Sequence, residues 1–277
     1  MRTVELPAGE RIPALGQGTW YFAERADRRA AEIRSLRTGL DLGLTVVDTA
    51  EMYADGAAEE LTGEAIAGRR DEVFLVSKVL PHHATRRGTV QACQQSLRRL
   101  GTDRLDMYLL HWRGSVPIED TLAGFADLTE AGLIRYWGVS NFDTADIAEL
   151  EAVPGGGSFS TDQVLYNPSR RGPEYDLLPY LRARRVPTMA YSPVEQGRLL
   201  GVPALAAVAR RRGATPAQIA LAWVLSNGDV CAIPRTANPE HVRENAAAAE
   251  MRLTEGDLAD LDAAFPPPTR KVPLELL

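Results

Sequence analysis

Eight short apolar runs recur along the chain, and their starts lie mostly about 30 residues apart, the length of one strand-plus-helix unit. They are "PALGQGTW" from Pro13, "LTVVD" from Leu44, "VFLVSK" from Val73, "LDMYLLH" from Leu105, "YWGVSN" from Tyr136, "DQVLYN" from Asp162, "PTMAYS" from Pro187 and "VCAIPR" from Val230. Most are apolar on both faces, so a sheet with one wet side cannot hold them; they fit a parallel sheet covered on both faces. Helical patterns fill the intervals. "ADRRAAEIRSLRTGLDLG" stops at Gly43 and "TRRGTVQACQQSLRRLG" at Gly101, both glycines suited to a helix end. Thr215 followed by Pro216 starts another helix, and Thr254 with Asp257 three residues on approximates a capping box. Eight such units, with no Ser/Gly-rich linker between them, predict an α/β fold: a closed (β/α)8 TIM barrel spanning residues 1–277 as a single domain. "PGGGS" at Pro154–Ser158 reads as a loop, and "TVEL" and "ERIP" around Ala8–Gly9 as a short N-terminal β-hairpin. A doubly wound open sheet would want a complete GxGxxG after an early strand, and "GQGTW" carries only half of it.

Composition narrows the partners. A net charge of −6 argues against nucleic acid, since phosphate binding wants a basic excess. The runs Arg182–Arg185 and Arg210–Arg212 fall where helices should end, which suits the negative end of a helix. No apolar run approaches the roughly 20 residues a membrane span needs, and the first residues lack a signal-peptide core. Cys93 and Cys231 make no disulfide framework, and none of the four histidines joins a cluster with metal-ligand spacing. A cytoplasmic protein with reduced thiols and no bound metal is expected.

The ends of the predicted strands are polar: Asp48, Lys78, His111, Ser140 with Asn141, Gln163, Tyr191 with Ser192, and Arg235. Each alone has a structural explanation as a cap, a turn or a solvated strand end. In a barrel, however, all carboxyl ends meet on one rim, and a convergence of titratable and hydrogen-bonding groups there points to an active site. Tyr53 follows Asp48 closely enough to fold over the same rim. A phenol ionises near pH 10, too high for easy proton exchange. A lysine ammonium beside it would lower that value, and Lys78, kept charged by Asp48, could supply one. His111 could hydrogen-bond the oxygen that receives the proton. With no strong nucleophile in the set, it suits protonation of a carbonyl oxygen, with the reducing equivalent coming from a cofactor.

The chain resembles the aldo-keto reductase superfamily along nearly its whole length. "GLTVVDTAEMYADG…AEELTGEAI", "LDMYLLHW", "YWGVSNF", "DQVLYN" and "AIPRTANPEHVRENA" look like that family's signatures. The resemblance implies a catalytic tetrad of Asp48, Tyr53, Lys78 and His111. It implies Ser140, Asn141 and Gln163 on a nicotinamide carboxamide, Tyr191 stacked on the ring, and Ser192, Val194, Gln196 and Arg198 along the pyrophosphate. Pro234, Arg235, Thr236, His241, Glu244 and Asn245 would hold the adenosine end, and Gly18, Thr19 and Trp20 the nicotinamide end. "HWRGSVP" and "GQGTWYFAE" look most like a bacterial branch that includes methylglyoxal reductases. There the loop after His111 is short, which implies an open pocket walled by Trp20, Tyr21, Tyr53, His111 and Trp112, taking small aldehydes and 2-oxoaldehydes. The chain departs from the pattern at Arg235, where many members have lysine, and at His241, where many have arginine. Arginine still offers a bidentate phosphate contact, so NADPH is expected as the cofactor rather than NADH. A monomer is the expectation from the family.

Two rivals share the barrel. A nucleotide-sensing module would bind cofactor without useful turnover, and a lysine-dependent aldolase would use Lys78 as its nucleophile. The intact tetrad speaks against the first; Asp48, keeping the lysine charged, speaks against the second.

Overall fold

The computed structural model describes residues 1–277. An antiparallel hairpin opens the chain: β1 (Thr3–Glu5) and β2 (Arg11–Pro13), in which Val4 and Ile12 pair and are both buried. Eight strands follow: β3 (Gln17–Gly18), β4 (Val46–Asp48), β5 (Phe74–Val79), β6 (Leu105–Leu110), β7 (Ile134–Ser140), β8 (Asp162–Leu165), β9 (Thr188–Tyr191) and β10 (Val230–Ala232). Each pairs in parallel with the next. The sheet closes on itself. Leu15 bridges Ala232 in parallel, Ala232 N–H donates to Ala14 O at 2.9 Å, Gly16 N–H to Ala232 O at 2.8 Å, and Gly18 N–H to Pro234 O at 3.0 Å. A side chain at Gly18 would put its Cβ 2.9 Å from the Ile233 carbonyl oxygen, so glycine is what lets the two backbones meet at this seam. The first apolar run gives only a two-residue strand, bonded to β10 on one side and β4 on the other.

All six residues of β5 and of β6 are buried, which requires cover on both faces. The outer cover is α1 (Arg29–Asp41), α2 (Ala57–Ile66), α3 (Arg86–Leu100), α4 (Ile118–Glu130), α5 (Thr144–Ala152), α6 (Leu177–Ala183), α7 (Pro203–Arg212), α8 (Pro216–Ser226), α9 (Pro239–Ala248) and α10 (Glu255–Ala264). The chain's local chemistry starts and stops them. Thr85 caps α3 by accepting from Gly88 N–H, and Gly101, at φ 62°, ends it. Thr215 with Gln218 forms a full capping box on α8, and Thr254 with Asp257 another on α10. Each cap contributes about 1 kcal/mol. A third box, Asp143 with Asp146 on α5, was not anticipated from sequence. Arg210–Arg212 fill the last turn of α7, whereas of the arginines in Arg182–Arg185 only Arg182 lies in the last turn of α6, Arg184 and Arg185 falling just past its end; Arg211 also pairs with Asp257 at 2.7 Å. Pro154–Ser158 is a loop with one 3-10 turn between α5 and β8. No helix is long and apolar enough to cross a membrane.

Candidate active site

The carboxyl ends of the eight strands form one rim, and a cleft of about 840 Å³ runs across it. At its floor lies a buried ion pair. Asp48 is the last residue of β4 and Lys78 the penultimate residue of β5; their adjacent registers set Lys78 Nζ 2.8 Å from Asp48 Oδ2. The ammonium also donates to the Thr49 carbonyl at 2.8 Å and to the Tyr53 hydroxyl at 3.1 Å. Lys78 is fully buried and Asp48 nearly so. The second carboxylate oxygen accepts from Gln163 Nε2 at 2.8 Å, so both oxygens of Asp48 are satisfied.

Tyr53 reaches this pair through a strained turn. Ala54, Asp55 and Gly56 follow it at φ 48°, 52° and 91°, three consecutive left-handed residues. Such a conformation in non-glycine residues costs about 1–3 kcal/mol each and persists only where the surroundings enforce it. The Tyr53 ring lies 6.4 Å from Trp20, 5.8 Å edge-on from His111, and 4.8 Å from Lys78 Nζ. His111 is one residue past β6, anchored by its N–H to Val79 O at 3.0 Å, and its Nδ1 is buried without a partner.

Exclusion of water governs the ionisation of all three groups. Burial, and then the negative charge of Asp48, push the Tyr53 phenol well above its usual value. This corrects the expectation that Lys78 would lower it: the depth of the hydroxyl outweighs the neighbouring cation. Burial also lowers the Lys78 ammonium, with Asp48 opposing, and burial followed by Lys78 drives His111 well below the usual imidazole range. At neutral pH the phenol therefore keeps its proton and the imidazole is uncharged.

Beside this group the polar residues of β7 to β9 form a continuous chain. Ser140 Oγ donates to Gln163 O at 2.8 Å, Asn141 Nδ2 to His111 O at 3.0 Å, and the Tyr191 hydroxyl to Asn141 Oδ1 at 3.0 Å. Gln163 is the second residue of β8 rather than its last, and it faces Asp48. Asn141 (φ 60°) and Ser192 (φ 48°) both stand in the left-handed region where the chain turns off the rim. Further along the cleft lie Val194 and Gln196, then Gly18, Pro234, Arg235, Thr236, His241, Glu244 and Asn245. Trp20 and Tyr21 stack at 4.6 Å and, with Trp112, wall the mouth near Tyr53.

Several expectations need correction. Thr19 is buried outside the cleft; its hydroxyl donates to the Asp48 carbonyl at 3.0 Å, so it braces the strand end. Arg198 turns away, with Nη2 2.8 Å from Glu195 and Nη1 3.0 Å from Gln196 Oε1. Lys78, placed in the tetrad by the resemblance, stands behind Tyr53 and Asp48 and is hydrogen-bonded to both. Arg235, three residues beyond β10, is not a free cation: it donates to the Tyr21 carbonyl at 3.0 Å and lies 5.1 Å from the Phe22 ring, while its Nε is buried without a partner. His241 stands in the first turn of α9, with Nδ1 3.4 Å from Thr236 Oγ1. Sequence reasoning missed Met52, Leu200, Thr215–Ala217, Leu276 and Leu277 on the cleft wall. Met52 could have been found from its place beside Tyr53; the last two lie far in sequence from any strand end and carried no signal.

The aldo/keto reductase family model matches residues 14–265. Methylglyoxal reductase YeaE of Escherichia coli (strain K12) is 48% identical over 281 residues, covering 100% of this chain and 99% of that protein. Among solved structures, an aldo/keto reductase from Klebsiella pneumoniae in complex with NADP and acetate superposes with a TM-score of 0.97 at 49% identity, covering 99% of each chain. An aldo-keto reductase from the same organism in complex with NADPH gives 0.98 at 49% identity, covering 100% of this chain and 99% of that one.

Proposed function

The chain belongs to the aldo/keto reductase family, and from that premise we propose that it reduces small aldehydes and ketones to alcohols with NADPH, 2-oxoaldehydes such as methylglyoxal among them. The observation that carries the reading is the Tyr53 hydroxyl: it opens on the cleft, keeps its proton, and rests 3.1 Å from the buried ammonium of Lys78.

The cleft suits the dinucleotide in its donor set. Ser140, Asn141 and Gln163 offer amide and hydroxyl groups for a carboxamide, with the Tyr191 ring beside them. Ser192, Val194 and Gln196 follow for the pyrophosphate. At the far end, Arg235 has a buried Nε without a partner, which a 2′-phosphate oxygen would satisfy. Thr236, His241, Glu244 and Asn245 complete that end. When bound, NADPH supplies the hydride.

The chain's own residues handle the proton. Tyr53 donates its phenolic proton to the substrate carbonyl oxygen. The phenolate that forms is compensated by Lys78 at 3.1 Å, and Asp48, 2.8 Å from Lys78, keeps that ammonium charged despite its burial. His111, uncharged, donates one ring N–H to the same carbonyl oxygen and orients it. Trp20, Tyr21, Met52 and Trp112 surround this end with apolar and aromatic surface, which favours small carbonyl compounds. An aldolase role fits poorly, because Lys78 is sealed behind Asp48 and Tyr53 and holds its nitrogen in three hydrogen bonds.

We read residues 1–277 as one domain acting as a monomer in the cytoplasm. In support, all eight strands close one barrel and both cysteines are free and buried. The functional test is a carbonyl panel assayed with NADPH and NADH side by side. Loss of NADPH absorbance on adding methylglyoxal is expected; cofactor binding without turnover on any carbonyl would favour a sensor instead.

A further inference from the structure

Two walls of the cleft far apart in sequence converge on one arginine outside it. The first is the turn after β9. Glu195 and Gln196 hold φ values of 50° and 53°, followed by Gly197 at 86°, a strained stretch that presents Val194, Gln196 and Gly197 to the cleft. Glu195 itself points away and is almost completely buried. Its carboxylate collects Asn167 Nδ2 at 2.7 Å, Arg198 Nη2 at 2.8 Å, and Arg170 through Nη2 at 3.0 Å and Nε at 3.2 Å. The second wall is segment 271–277. Lys271 ties it down at 3.0 Å from Asp176 and 2.8 Å from the Thr144 hydroxyl, and Leu274 packs on the core. Leu276 and Leu277 then enter the cleft, although about half exposed. Between anchor and tip, Glu275 accepts from Arg170 Nη1.

We infer that Arg170 is a positioning residue that clasps the Glu195 turn and the Glu275 segment together across the cofactor cleft, so that dinucleotide exchange requires the Arg170–Glu275 arm to open. The two arms differ in strength for a physical reason. Glu195 is buried and multiply bonded, so its arm is permanent; Glu275 is 44% exposed and its partner 33% exposed, so its arm is screened and labile. A labile arm on an otherwise anchored segment is what a reversible closure needs: tethering keeps the tip near the cleft at high local concentration even when the arm is broken. The strain at Glu195 and Gln196 adds a reason for the permanent arm, since left-handed residues persist only where side-chain bonds enforce them.

The inference rests on the proposed NADPH reading. Its test is the rate of NADPH release, followed by stopped-flow protein fluorescence, in wild type, Glu275→Ala, Arg170→Gln and the double variant. Glu275→Ala touches only an exposed residue and leaves the Glu195 arm intact. Release should quicken about two- to fivefold, the range that an exposed ion pair of up to about 1 kcal/mol allows, while single-turnover hydride transfer and the unfolding midpoint stay near wild type. Arg170→Gln should quicken release further, and adding Glu275→Ala to it should change nothing more, because the shared partner is already gone. The KM for NADPH should move and the single-turnover rate should not, which a general loss of structure would not produce. A wild-type protein without affinity for NADPH overturns the functional reading and the clasp together. Wild-type binding with unaltered release in Glu275→Ala, or equal effects of Glu275→Ala with and without Arg170, overturns the clasp alone.

Discussion

Replacing Lys78 with methionine keeps most of the side chain's length and removes its charge. Asp48 Oδ2 then loses its partner at 2.8 Å, the Thr49 carbonyl loses a donor at 2.8 Å, and the Tyr53 hydroxyl loses its neighbour at 3.1 Å. Gln163 still donates to the other carboxylate oxygen, but Asp48 loses its countercharge in a buried position. At an effective dielectric of about 20, charges 2.8 Å apart attract by roughly 6 kcal/mol gross, most of it spent on keeping both ions out of water. What a single deletion reads is the cost of the stranded partner, about 3–5 kcal/mol for a buried pair. Asp48→Asn strands the ammonium instead and should cost a similar amount. Lys78→Met combined with Asp48→Asn leaves no charge to strand. Its cost should fall short of the sum by about 1–3 kcal/mol, the coupling expected of touching groups. The assay is urea unfolding of the cofactor-free protein, with midpoints compared at constant slope. Costs that add within about 0.5 kcal/mol would mean that the two side chains do not interact, and the account of the cleft floor would be wrong.

Tyr53→Phe removes only the hydroxyl. NADPH binding should survive while turnover falls about 10²–10⁴-fold, and near wild-type aldehyde reduction would remove Tyr53 from the proton-donor role. Arg235→Ala should weaken NADPH binding much more than NADH binding, read by fluorescence titration; unchanged NADPH affinity would place the 2′-phosphate elsewhere. His241→Arg should strengthen the preference for NADPH in the same titration, because a guanidinium is permanently charged and can contact a phosphate through two N–H groups. Asp257 gives an acid-stability test. Burial raises its pKa, but the Thr254 N–H and Arg211 outweigh that and hold it at about 2, below the ordinary 3.8. A depressed carboxylate stabilises the fold above its unfolded pKa, and this is lost as pH falls from near 3.8 toward 2. Asp257→Asn should therefore be less stable at neutral pH and show a shallower loss across that acid window; parallel curves would deny the linkage.

What the sequence made legible is what short range decides. The buried strands announced themselves as apolar runs, and the helix ends as Thr215, Thr254 and Gly101, because capping is settled within four residues. The polar strand ends were legible because a barrel gathers them whatever their side chains do. The rest depended on direction and depth. Gln163 meets Asp48 across 115 positions, and Glu275 meets Arg170 across 105; no local pattern encodes either. Arg198 was assigned to the cofactor by the resemblance, but beyond the left-handed turn at Glu195–Gly197 it bonds Glu195 and Gln196 instead. The bond of Arg235 to the Tyr21 carbonyl was not legible, because it depends on how the β3–α1 loop folds back.

The misjudged pKa of Tyr53 has the same origin and the largest consequence. Sequence gives the neighbours of a group but not its distance from water, and here that distance matters more. Removing water disfavours the charged form of every group it reaches: it raises the phenol, lowers the imidazole, and lowers the ammonium. The ammonium alone has an anion within 2.8 Å to restore what burial takes away. The result is a resting site with a protonated phenol, an uncharged imidazole and one compensated cation. With its pKa raised, the phenol in that resting state holds the proton a donor must supply. On the proposed reading Lys78 acts later, when the phenol parts with its proton and a negative charge forms 3.1 Å from the ammonium. The pair thus discriminates between the state before proton transfer and the state after it, which is where catalytic stabilisation has to fall.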